Sequence, residues 1–89
     1  MHINDKLELM GVQLVETVET LQKIKKSNDP YNKSISEILA VALHYCNTIM
    51  TIKDLSKKVS LSFYKDEILK QIRLIDEFLE LTSDIKVAA

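Results

Sequence analysis

Apolar side chains early in the chain recur at Leu7, Met10, Leu14, Val18, Leu21 and Ile24, steps of three and four that lay one stripe along a helix. Asp5 and Glu8 stand in capping-box spacing before it, and Lys23, Lys25 and Lys26 close it where cations suit the helix dipole. Ser27-Asn28-Asp29-Pro30 then breaks the pattern, because proline disfavours the α conformation in the residue before it. A second helix is signalled by Ser34-Ile35-Ser36-Glu37, another capping box, followed by Ile38-Leu39-Ala40-Val41-Ala42-Leu43-His44-Tyr45-Cys46, apolar on nearly every side. Such a helix is expected to be buried on several sides and so to lie at the centre of the fold. Ser60 or Ser62 can cap a third helix, in which Tyr64, Ile68, Ile72, Ile75 and Leu79 form one stripe, widened by Leu74, Phe78, Leu81 and Ile85. The pattern predicts helices over about 5–26, 35–57 and 62–82, with fraying beyond Thr82.

Short connections force neighbouring helices to alternate in direction, so the expected fold is all-α, a single domain over 1–89 forming an antiparallel up-down-up three-helix bundle. In that arrangement Asp76, Glu77, Glu80 and Asp84 return to the end carrying Lys23, Lys25 and Lys26. Asp5 and Glu8 share the other end with Lys53, Lys57 and Lys58. Opposite charges then meet at both ends without any external partner. Three helices of this length cannot cover every apolar side chain of the middle one, and so small a core is marginal, which predicts a homo-oligomer. Val41, Tyr45, Ile52 and Leu55 are the expected interface residues, and Tyr31, beside Pro30, is a further candidate for partner contact.

Composition narrows the function. Apolar residues make up 46% and charged residues 28%, a globular balance, and the single Gly and single Pro leave little material for hairpins. A net charge of −1 lacks the basic surplus of a nucleic-acid binder. The basic stretches at 23–26 and 53–58 read as solvated helix ends. The lone Cys46 excludes an internal disulfide and fits a reducing cytoplasm. The longest apolar run falls well short of a membrane span, and the polar N-terminus lacks a signal-peptide core, so no transmembrane segment is expected.

Candidate chemistry is sparse. His44 and Cys46, two apart on a helix, point in nearly opposite directions and cannot grip one metal ion. The serines sit at caps and helix ends, and the adjacent acids Asp66-Glu67 and Asp76-Glu77 diverge. An arginine clamp for a dicarboxylate, as in small helical chorismate mutases, needs several arginines, and this chain has only Arg73. The reading is therefore a protein without catalytic, metal or cofactor residues, one that acts by binding a protein partner, itself, or a small nucleotide ligand.

Two resemblances bear on the partner. Asn28-Asp29-Pro30-Tyr31 ahead of the Ile38-Leu39 helix, and the stretch from Lys58 through Ser60, Ser62 and Tyr64 to Leu69, are similar to small helical class IIa (enterocin A-type) bacteriocin immunity proteins. The match covers about a third of the chain. It implies a cytosolic helix bundle guarding a membrane sugar transporter bound by the toxin. The chain departs from that family in reading as three helices rather than four, with a neutral balance and a short tail. Leu39, Ala42, Tyr45 and Asn47 resemble the helical hairpin of phage proteins that sequester cyclic-nucleotide signals, which implies an oligomeric sponge using Tyr31, Tyr45 and Lys33. A phage or bacterial regulator acting by protein–protein binding is the remaining class.

Overall fold

The computed structural model describes residues 3–26 and 32–88, with the backbone alone described for Lys26, Asn32, Leu61 and 85–88. Among them are three α-helices, α1 (Ile3–Lys26), α2 (Asn32–Ser56) and α3 (Lys65–Ala88), with a 3₁₀ turn over Leu61–Tyr64 and no strand. The protein is all-helical.

The boundaries differ from the pattern reading in instructive ways. The second helix starts at Asn32, so Ser34 lies in its first turn instead of capping it. Nothing in Asn32-Lys33 opposes helical backbone angles, and capping chemistry ahead of a helix does not bar an earlier start. Ser60 does act as a cap. Its backbone is extended (φ −69°, ψ 128°), and its hydroxyl accepts a hydrogen bond from the Ser62 N–H at 3.4 Å. It caps the 3₁₀ turn, after which α3 begins at Lys65 and continues past Thr82 to Ala88.

The helix at the centre is α1, not α2. Leu7, Met10, Leu14 and Leu21 on α1 are fully buried, and both other helices pack on it more extensively than on each other. The larger core cluster joins Leu7, Met10 and Leu14 to Ile49 and Ile52 of α2 and to Ile68, Ile72 and Ile75 of α3. A smaller one joins Leu21 to Leu39 and Ala42. Phe78 packs against both clusters and meets Tyr45 with ring centroids 5.3 Å apart, a tilted aromatic pair. Two buried polar side chains are satisfied locally: Thr17 Oγ1 donates to the Gln13 carbonyl and Thr82 Oγ1 to the Phe78 carbonyl, each at 2.9 Å.

The apolar residues expected to widen the α3 stripe do not all find cover. Leu74 is exposed and Leu81 is 80% exposed, and Tyr64, expected in the stripe itself, is exposed as well. Charges at one end of the molecule pair as the sequence implies, with Lys53 Nζ 2.6 Å from Glu8 Oε1 and with Asp5 and Lys57 around the same hollow. At the other end Asp76 departs from the expectation. Asp76 pairs with Lys6 at 3.2 Å, because α3 lies along α1 so that its middle comes level with the beginning of α1.

The core assignment has a direct check. Replacing Leu14 by Ala is expected to cost about 2–5 kcal/mol, while Leu81→Ala stays within about 0.5 kcal/mol, both read from urea unfolding midpoints.

Candidate partner-binding groove

On the side of α1 and α2 away from α3, the two helices leave an open groove of about 430 Å³. Its floor follows from residue size. Gly11 presents no side chain, and the nearest atom to an added Cβ would be Ile49 Cγ2, 4.0 Å away. That distance is ordinary contact, so Gly11 is not required for close approach of the helices; it deepens the groove. Ile49 and Cys46 of α2 complete the floor, and Val12, Val15 and Met50 line the walls. These three wall residues are more than half exposed, Met50 at 62%.

The rim is acidic. Glu8, Glu16 and Glu19 follow α1 along one edge, and Lys53, tied to Glu8, is the only cation among the lining residues. An apolar trough with negative edges suits a guest that is apolar on one side and basic along its flanks. Burial pushes the Cys46 thiol above its ordinary value by desolvating the thiolate, so the groove presents a protonated, weakly reactive sulfur.

The interface residues expected from the sequence are not brought together here. Val41 is exposed on the outer side of α2, Tyr45 is half-buried against Phe78, and Leu55 is half-buried. Ile52, an expected contact residue, belongs to the core at 7% exposure. Tyr31 lies outside the described residues. His44 and Cys46 do part company: Cys46 lines the groove, and His44 lines a shallow hollow with Asn47, Thr48, Thr51 and Gln71 on the other side of α2. Among the described residues, no three His, Cys, Asp or Glu side chains gather as a metal set.

Comparison with known protein families, with curated proteins and with solved structures finds no match to this chain. The reading of the groove therefore rests on its own chemistry. Val12, Val15, Met50 and Gly11 were not singled out by periodicity as a site, since the two valines belong to no stripe; the glycine inside an otherwise continuous helix was the one local signal.

By length and composition, α2 over Lys33–Ser56 is long and apolar enough to cross a membrane, a test that core helices of water-soluble proteins also pass. Only 22% of its most apolar stretch is buried, with Leu39, Ala42, Ile49 and Ile52 in the two core clusters.

Two outcomes follow from the groove floor. Gly11→Ala should stabilise the protein by about 1 kcal/mol, the helix-propensity difference, since the added methyl meets no obstacle; urea unfolding reads this directly. Cys46 should contribute an alkaline loss of stability. Its folded pKa is raised, so as pH rises the unfolded chain ionises first and stability falls through the folded value, while below the ordinary thiol range the contribution is constant. Comparing unfolding midpoints of wild type and Cys46→Ala between about pH 7 and 10 should show a steeper alkaline decline in the wild type.

Proposed function

We propose that this protein is a non-catalytic binding protein, an antiparallel up-down-up three-helix bundle that holds an amphipathic, basic-flanked helix of a protein partner in the groove between α1 and α2. The observation that carries this reading is the combination of an apolar lining with a rim of three carboxylates against one ammonium. A helix laid in such a groove buries its apolar face on Val12, Val15, Ile49 and Met50 and sets its basic flanks along the glutamates. The reversed direction of α1 and α2 is supported by Glu8 pairing with Lys53 while Leu21 packs with Leu39 and Ala42.

Among the classes implied by the sequence, a regulator acting by protein–protein contact fits this geometry better than a nucleotide sponge. The ring of Tyr45 is engaged by Phe78 rather than open for stacking on a base. An immunity protein would use such a groove on its own target and is one form of the same reading. A lone, half-buried thiol suits a reducing cytoplasm, where we place the protein. We also take it to be a homo-oligomer, because Val41, Leu43 and Met50 of α2 and Leu74 and Leu81 of α3 are left exposed.

Cys46 supplies the assay. A helical peptide of leucine and lysine in amphipathic order should slow alkylation of Cys46, and its leucine–glutamate twin should not. Val15→Lys should remove the protection. Equal protection by both peptides, or none by either, overturns the assignment.

A further inference from the structure

We propose that the outer face of α2 is the seam on which two copies of this chain associate, antiparallel across a two-fold axis, with His44 of each copy against Asn47 of the other. This rests on the homo-oligomer reading and adds its surface and register.

Residues 38–52 contain no Asp, Glu, Lys or Arg, in a chain that is 28% charged. Yet Ala40, Val41, Leu43, His44, Asn47 and Thr51 of this stretch are exposed. A two-fold axis sets each residue near it beside its own duplicate, so a charge there meets its like. The outer faces of the other helices carry such charges, Asp5, Glu16 and Lys23 on α1 and Asp66, Lys70, Arg73 and Glu77 on α3. On α2 that repulsion is absent.

The polar groups of the face also tolerate loss of water. Thr48 Oγ1 donates to the His44 carbonyl at 3.1 Å and Thr51 Oγ1 to the Asn47 carbonyl at 2.9 Å, so both hydroxyls stay satisfied in a dry seam. Among the described residues neither the His44 ring nor the Asn47 amide has a hydrogen-bond partner in its own chain. Antiparallel pairing about the midpoint between them sets imidazole against carboxamide twice. It also sets Ala40 opposite Thr51 of the partner subunit, small against small, which allows close helix approach.

A lipid bilayer fits worse: a span over Lys33–Ser56 would set His44, Asn47 and Thr51 inside the hydrocarbon core.

Sedimentation equilibrium on the full chain tests the seam. The wild type should be a dimer at micromolar concentration. Asn47→Glu should weaken dimerisation at least tenfold with the helical circular-dichroism signal retained, and adding His44→Lys should restore it by pairing opposite charges across the axis. Ala40→Glu reads the same face should Asn47→Glu lose helix. Leu81→Glu, on the exposed side of α3, should leave the dimer intact. A wild-type monomer overturns both the seam and the oligomer reading. A dimer broken by Leu81→Glu but not by the α2 variants overturns the seam alone. Flotation of the wild type with phosphatidylcholine–phosphatidylglycerol vesicles, lost in Asn47→Glu, also overturns it, since lipid would then be the occupant.

Discussion

The stripe formed by Leu7, Met10, Leu14 and Leu21 on α1 is shared by both other helices, and that sharing limits what each of them can bury. A helix packed on a single neighbour hides one side of its surface. Because α2 and α3 meet α1 more extensively than they meet each other, joining mainly through Tyr45–Phe78 and the larger core cluster, each keeps an uncovered side. The cost shows on both. Outside the contact with α1, α2 keeps Val41 and Leu43 in water, and α3 keeps Leu74 and Leu81 there. The overall shape agrees. The molecule measures 47 × 20 × 17 Å, and its radius of gyration of 14.4 Å exceeds the ~12 Å expected for a compact domain of this length. The pairing of Asp76, in the middle of α3, with Lys6, near the start of α1, shows that these two helices are staggered along the axis.

That stagger explains which features were legible in the sequence. The stripe of α1 was readable because it has a phase: apolar positions recur on one side and polar ones fill the rest, so only one orientation is possible. The nine-residue apolar run of α2 has no phase. It announces a helix without saying which side faces inward or how many neighbours it has, and inferring a central position from the amount of apolar surface alone failed. Burial needs a neighbour on every apolar side, and α1 had already taken the central place. The charge reading divides along the same line. Glu8 and Lys53 meet because each stands near the end of its helix, and those two ends adjoin. Asp76 meets Lys6 instead of the lysines at the end of α1, because a pairing deduced from helix ends assumes flush helices.

The groove was out of reach for a related reason. It belongs to no single helix but to the register between two, and Val12 and Val15 enter it only because α2 stands beside Gly11 at that level. On α1 by itself they are two apolar residues off the stripe, of the kind any surface helix carries. Gly11 left a mark in the sequence, but propensity gives only its cost to the helix. Its use, a notch beneath Ile49 and Cys46, appears once the second helix is in place.

The oddest property of the chain is a long charge-free stretch in a helix that is only partly buried. The sides of α2 face different things. Leu39, Ala42, Ile49 and Ile52 pack on α1 and α3, while Cys46 and Met50 border the groove. Ala40, His44, Asn47 and Thr51 face outward, free of charge. A side chain with a full charge would be wrong at the first set because it is buried. At the second it would spoil an apolar trough, and at the third, in the dimer we propose, it would repel its own duplicate across the two-fold axis. With a guest in the groove and a second copy on the outer face, each side has a separate reason to exclude charge, and together they cover most of the helix circumference. The charges resume at Lys53 and Asp54, where α2 runs out past the core and its carboxylate and ammonium partners can again meet water.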